Sequence, residues 1–188
     1  MEGRTALREG RRAKLEPQRT DLTMPMTRDA LLAYLDGLGI AHSTVDHPPL
    51  RTVADAQALR GDLSGGHTKN LFLRDRKDRY FLVTLEEDAV VDLKTIHTLI
   101  GGSGKVSFGR EEALMELLGV VPGAVTLFGL VNDRDHRVTA VIDEPLLAHA
   151  AVNAHPLTNE ATTQIAARDV LAFMEATGHR PLILKVSA

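Results

Sequence analysis

The chain contains no cysteine and no tryptophan in its 188 residues. Without cysteine there is no disulfide framework, no Cys-ligated zinc and no thiol nucleophile. No apolar run approaches the roughly 20 residues that a membrane-spanning helix needs. The first residues, MEGRTALREGRRAKLEPQRTDLTMPM, lack the apolar core of a secretory signal. Their Glu2, Glu9, Glu16 and Asp21 are also foreign to an organelle transit peptide. The expected location is therefore cytoplasmic, with no membrane contact. The chain has no G-x-x-x-x-G-K-[ST] phosphate loop, no G-x-S-x-G elbow and no H-E-x-x-H pair, and its eight His show no metal-ligand spacing. No metal or cofactor is expected. No period of 20 to 50 residues recurs, which excludes a solenoid.

What remains is a globular composition, 44% hydrophobic and 25% charged, with a formal charge of −3. A wholly basic surface is excluded; a local basic patch for nucleic acid is not. Residues 1–26 carry six basic side chains (Arg4, Arg8, Arg11, Arg12, Lys14, Arg19) against four acidic ones, leaving −5 on the rest. Such a charged, weakly hydrophobic segment does not offset its ordering entropy, so 1–26 is expected to be a disordered tail. It would suit either a basic arm for RNA or a leader ahead of a start at Met24 or Met26. Residues 27–188 show no internal composition break and read as one domain.

Thr27 is a good N-cap for the helical pattern RDALLAYLDGLG, which Gly37 or Gly39 ends. IAHSTVDHPP reads as a short strand stopped by Pro48 and Pro49, and TVADAQALRG as a second helix. DLSGGHTK reads as a polar, Gly-rich loop. NLFLRD and RYFLVTL form a hairpin signal around RKD. VDLKTIHTLIG reads as a helix, GKVSF as a strand, and REEALMELLG as a helix with acids in its first turn. VPGAVTLFGLVND reads as a turn plus strand, and HRVTAVIDEPLL as a strand. AAVNAHPL and TTQIA suggest two short strands, ARDVLAFMEATG a helix and PLILKVS a closing strand. The mixture predicts an α+β fold, with a mixed, strongly curved, barrel-like sheet surrounded by helices.

Four places carry candidate chemistry. Lys69 and Asn70 stand where the Gly-rich loop meets an apolar strand; Lys there can hold a phosphate or carbonyl oxygen, and Asn can orient a water. The same pair also suits an ordinary solvated strand end. Gly119, Pro122 and Gly123 form a turn that can expose backbone N–H groups to an oxyanion or a ligand carboxyl, with Phe128 following, although a plain helix-to-strand connection fits equally. His155, held extended by Pro156, can donate hydrogen bonds or move a proton near neutral pH, or be structural. Arg74, Arg76, Lys77 and Arg79 make a basic hairpin tip suited to RNA backbone, weakened by Asp75 and Asp78.

The segments DHPPLRTVADA, HTKNLFLRD, YFLVTLEEDAVVDLK, VSFGREEALMELLGVVPGAVTLFGLVND and NAHPLTNEATTQIAARDVLAFMEATGHRP occur in order from residue 46 to 181. As an ordered set they resemble the YbaK/prolyl-tRNA-synthetase-associated domain family. The Lys–Asn pair before LFL and the G-V-x-P-G loop are most like that family's free-standing deacylases of alanyl-tRNA(Pro). The resemblance implies hydrolysis of the ester joining a wrong amino acid to tRNA(Pro). Relatives that act on Cys-tRNA(Pro) or Ser-tRNA(Thr), or a non-catalytic aminoacyl-tRNA-binding module, are the alternatives. It further implies that Lys69 holds the 3′-terminal adenosine or its phosphate, and that Asn70 orients water or the substrate amine. Gly119, Val120, Val121, Pro122 and Gly123 would contact the aminoacyl group, and His155 would stand near the amino-acid pocket. Asp46, His47 and Pro48 would lie beside the cleft, with Thr52 just beyond. Leu127 departs from the family pattern, which has Pro there, and the change is expected to reshape the pocket wall. The expected partner is the tRNA(Pro) acceptor end, with transient contact to prolyl-tRNA synthetase or an elongation factor, and the chain is expected to act as a monomer. With no Cys and no Ser–His motif, the expected attacker is a placed water, assisted by a hydroxyl of the terminal adenosine.

Overall fold

The structure is a computed structural model that describes residues 24–49 and 63–188. Helix α1 (Arg28–Gly37) begins as expected: the Thr27 hydroxyl accepts from the Ala30 N–H at 3.3 Å, and Leu31 and Leu35 turn inward. Eight strands follow within the described residues: β1 (His42–Asp46), β2 (Gly66–Arg74), β3 (Tyr80–Glu86), β4 (Ser107–Phe108), β5 (Val138–Asp143), β6 (Ala151–Ala154), β7 (Ala161–Ala166) and β8 (Leu182–Leu184). Between them lie the helical turn α2 (Ile96–Leu99), α3 (Glu111–Leu118) and α4 (Ala167–Ala176). The result is a single α+β domain. Its sheet runs in the order β1-β7-β6-β2-β3-β5-β8, with β4 added to β2. It is mixed: β2–β6, β3–β5 and β5–β8 are parallel, the other pairs antiparallel.

Successive strand residues point to opposite faces, and here the two faces meet different surroundings. Phe72, Leu82, Ile142, Val152 and Ile165 enter the larger core with α1, α3 and α4. Phe128 and Phe173 meet there edge to face, with centroids 5.2 Å apart, an arrangement worth about 0.5–1.5 kcal/mol beyond area burial. Leu73, Phe81, Val83, Leu85 and Val141 enter a smaller core with Ile96 and Ile100. That second core covers only the β2-β3-β5 half of its face.

The hairpin, α3, α4, β6 and β7 match the sequence pattern. The helix expected over TVADAQALRG lies outside the described residues, as does most of the 1–26 tail. The tail's last residues, Met24–Met26, are described, and Met26 packs on the larger core. The Gly-rich loop is shorter than expected, because β2 already starts at Gly66. Gly65 (φ 101°) allows this: a Cβ there would stand 2.6 Å from the Ala151 carbonyl oxygen. The helix over VDLKTIHTLIG shrinks to α2, since Asp92 turns the chain by accepting from the Lys94 N–H at 2.9 Å. GKVSF contributes only β4. TLFGLVND is not a strand but a 3₁₀ segment, Leu127–Asn132, buried through Leu130. Thr126 caps it, accepting from the Phe128 N–H, and Gly129 lets Leu118 approach closely. A short apolar run has no periodicity to separate strand from buried helix.

Asp75 organises the β2–β3 turn. Its carboxylate accepts from the Lys77, Arg79 and Ser103 N–H groups at 2.8–3.0 Å and from the Arg79 guanidinium. Burial pushes this carboxyl upward, but those donors outweigh it and hold it at about 2. The stability it supplies is fully present above its ordinary value of 3.8 and is lost as pH falls towards about 2. Asp75→Ala should cost roughly 2 kcal/mol in urea denaturation at pH 7. That cost should shrink on acidification below pH 4; an equal cost at pH 2.5 would refute the account.

Candidate active site

On the face that carries the smaller core, the other half of the sheet is polar. Cross-strand partners share a face, so Asn153 of β6, Gln164 of β7 and His67 of β2 lie together. Gln164 Nε2 donates to Asn153 Oδ1 at 3.1 Å, and both side-chain amides donate to the Ser64 carbonyl. His67 Nε2 lies 3.0 Å from the Leu63 carbonyl oxygen. These bonds hold the chain that leads into β2. The parallel register Gly66↔Val152 and His67↔Asn153, carried two residues on, sets Lys69 level with His155. Both side chains leave by the polar half-face. Thr68 Oγ1 donates to the Asn153 carbonyl at 2.9 Å and keeps β2 beside β6 at that level.

Two imidazoles meet here: the rings of His47 and His155 are 6.2 Å apart. A carbonyl oxygen only accepts, so the 2.9 Å contact of His47 Nδ1 with Pro48 and the 3.0 Å contact of His155 Nδ1 with Ala161 place a proton on each Nδ1. His47 Nε2 lies 2.9 Å from the Thr162 hydroxyl. Burial pushes the pKa of His155 below 6.5; the Ala161 bond pulls it back, and His47 lowers it further. At neutral pH His155 is therefore uncharged, and its Nε2 carries a lone pair. Lys69 Nζ donates to the Ala89 carbonyl.

The turn after α3 meets the β6–β7 hairpin. Gly119 (φ 64°) is the left-handed C-cap of α3, and a Cβ there would strike Asn132 and Pro25, each at 2.6 Å. Its Cα is thus turned to those residues. Val120 is core. Val121 and Pro122 are exposed, and the Ala124 N–H donates to the Val121 carbonyl at 3.0 Å. Pro122 followed by Gly123 (φ 88°) suits a type II turn. Gly123 faces the β6–β7 hairpin: a Cβ there would lie 3.8 Å from Asn159 Nδ2.

Several expected contacts fall elsewhere. Asn70 does not stand with Lys69, because the next strand residue points to the opposite face. Its Oδ1 accepts from Thr84 at 2.7 Å on the larger-core side. Phe128 is enclosed in the core and presents no surface to a ligand. Leu127, fully buried, opens the 3₁₀ segment, a position where Pro also fits; it is a core residue rather than a pocket wall. Asp46 is ion-paired with Arg28 at 2.6 Å, and Pro48 is exposed beside His47. Thr52 lies outside the described residues. At the hairpin tip Arg74 pairs with Asp78 at 3.3 Å and Arg79 with Asp75 at 2.7 Å. Arg76 and Lys77 are exposed, and Gly104 packs on the Arg76 stem. A strand rises about 3.3 Å per residue, so Arg74 is about 17 Å from Lys69. Thr162, Asn153 and Gln164 were not anticipated; the period-two polar positions of AVNAH and TTQIA carry the signal.

Residues 47–173 match the aminoacyl-tRNA editing domain family. The chain belongs to that family. The editing-domain match runs from His47 through Lys69, the 119–123 turn and His155. The chain is 38% identical over 159 residues to the zebrafish (Danio rerio) prolyl-tRNA synthetase associated domain-containing protein 1, covering 84% of this chain and 86% of that one. To the prolyl-tRNA editing protein ProX of Acetoanaerobium sticklandii it is 35% identical, covering 81% and 93%. Among solved structures, hypothetical protein APE2540 superposes with a TM-score of 0.65 at 23% identity, over 84% of this chain and 99% of that one.

Within this editing domain Asn70 is read as a support for buried Thr84. Asn70→Ala leaves that hydroxyl without its acceptor and should lower stability by about 1–3 kcal/mol. Adding Thr84→Val should recover part of the loss in equilibrium denaturation; no recovery would show that the bond is not the cause.

Proposed function

We propose that this chain is a free-standing editing hydrolase, acting in the cytoplasm as a monomer, that cleaves the ester of alanyl-tRNA(Pro). Family membership and relatives named for prolyl-tRNA editing support the reading. The observation that carries it is that Lys69 and neutral His155 emerge on one face of the sheet, where β2 runs beside β6, with the Lys69 ammonium held by an uncharged carbonyl. Lys69 holds the 3′-terminal adenosine or its phosphate. Its present acceptor, the Ala89 carbonyl, is uncharged, so a phosphate oxygen gives a stronger, charge-assisted bond. His155 Nε2 accepts from the substrate's α-amino group or from the attacking water. Gly123 and Pro122 wall the amino-acid pocket opposite the β6–β7 hairpin.

Water attacks the ester carbonyl, the adjacent hydroxyl of the terminal ribose relays its proton to the departing oxygen, and the products are alanine and free tRNA. The protein supplies placement. Spacing of the turn against the hairpin excludes the proline ring by clash, which discriminates more strongly than attraction, since a methylene is worth only about 1–3 kcal/mol. The editing unit runs over 27–188 on a sheet that curves towards a barrel, with 1–26 as an appended arm whose last residues, Met24–Met26, dock on it. Arg76 and Lys77, with weaker help from Arg74 and Arg79, meet the acceptor stem. Prolyl-tRNA synthetase or an elongation factor contacts the enzyme transiently.

Single-turnover hydrolysis of Ala-, Cys-, Ser- and Pro-tRNA tests the substrate: the alanyl ester should be cleaved fastest and the prolyl ester spared. Preference for Cys-tRNA(Pro) or Ser-tRNA(Thr) would reassign the enzyme, and tight binding without cleavage would make it a binding module. Lys69→Ala should abolish deacylation, and near-normal turnover would sink the site. Because burial lowers the pKa of His155 below 6.5, the rate should fall on the acid side with its midpoint beneath pH 6.5. A midpoint above pH 6.5 would exclude neutral His155 from the step.

A further inference from the structure

Resting on the proposed role of the 120–123 turn, we infer that Asn132 is a positioning residue that clamps this turn to the segment Met24–Met26 and so sets the amino-acid specificity of the site. One amide makes both connections. Its Oδ1 accepts from the Met26 N–H at 2.7 Å, across 106 residues of sequence, and its Nδ2 donates to the Leu118 carbonyl at 2.9 Å. Leu118 is the last residue of α3, one of the terminal carbonyls that a helix leaves without an internal partner. The next residue, Gly119, has its Cα pressed against both Asn132 and Pro25. Asn132 itself is the last residue of the buried 3₁₀ segment, which packs on α3, so the clamp is anchored in the core.

Beyond Gly119 the chain has one inward anchor, buried Val120, before the exposed Val121, Pro122 and Gly123. The turn is held at both ends, by buried Ala124 on the far side and by Gly119 on the near side, and the near end is set by Asn132 and Pro25. Asn132 does not reach the polar half-face and needs no contact with substrate. A turn displaced by about 1 Å would admit a larger side chain and misplace a small one. The clamp thus governs discrimination more than the chemistry at Lys69.

The experiment uses the full chain with Asn132→Ala and Asn132→Asp. The Asp variant keeps an acceptor for Met26 and puts an oxygen against the Leu118 carbonyl. The first readout is amide hydrogen exchange. Exchange at Gly119 and Ala124, whose N–H groups donate to Met115 and Val121, should speed up about tenfold in both variants, while α4 keeps wild-type protection. The second is kinetic. The KM for alanyl-tRNA should rise, and the preference for alanyl- over prolyl-tRNA should fall several-fold, with kcat for the alanyl ester little changed. Unchanged exchange at the turn in a folded variant overturns the clamp. Faster exchange with an intact substrate preference overturns its role in specificity. If the Ala variant does not fold, the Asp variant decides alone. A wild-type protein with no deacylase activity refutes the proposed function, whereas the exchange measurement still tests the clamp.

Discussion

The arrangement depends on the two-residue period of β2. This strand lies inside the sheet, paired with β3, β6 and β4, so its register is fixed on both sides. Phe72 must enter the larger core and Leu73 the smaller one. Once those two are placed, Lys69 and Asn70 have no freedom of side: Lys69 emerges with Leu71 and Leu73, Asn70 with Phe72. A one-residue slip would set the ammonium opposite buried Thr84 on the larger-core side and exchange Phe72 and Leu73 between cores shaped for the other. The hydrophobic demand of the strand's C-terminal half thereby aims the one cation at its N-terminal half.

The same period accounts for what the sequence disclosed and what it withheld. The hairpin around RKD, the acid-led helix ending at Gly119 and the closing helix before Gly178 all carry local signals, and each appears where the signals stand. Lys69, His155 and the Pro122–Gly123 turn could be nominated because their residue types are chemically unusual in their contexts. That Lys69 and His155 emerge on one face could not, since it follows from the parallel pairing of β2 with β6, more than 80 residues away. Adjacent Lys and Asn looked like a pair because they touch in sequence, and a strand separates such neighbours. Phe128 and Leu127 looked like pocket residues because an apolar run does not announce whether it is a strand beside a cleft or a buried 3₁₀ segment. Asn132 had no signal at all, since its role lies in two backbone groups whose identities no sequence pattern records.

Charge is distributed in keeping with this geometry. The chain's formal charge is −3, and its acidic groups do local structural work. Asp75 folds the hairpin tip through four donors. Asp133 takes the Arg137 and Val138 N–H groups together with buried His179. Asp143 takes those of Val186 and Ser187. Each satisfies backbone donors that would be costly to bury unpaired. An overall negative charge is therefore compatible with an anionic substrate that is met at a few points rather than wrapped.

Rigidity is also graded across the site. Lys69 sits in a regular strand and His155 is pinned by Ala161, so the groups assigned to substrate placement are held by the sheet and its hairpin. The groups assigned to amino-acid choice sit on an exposed turn held at its two ends by buried Val120 and Ala124, and behind Gly119 by the Asn132 amide. A site needs its reacting geometry on stiff elements, whereas a sieve needs only a wall at the right distance. Separating the two lets the wall be moved, by changes at Asn132, Pro25 or Val121, while Lys69 and His155 stay in register. In the proposed function, the turn's position would set the preference among alanyl, cysteinyl and seryl esters, and Lys69 and His155 would need no change for it.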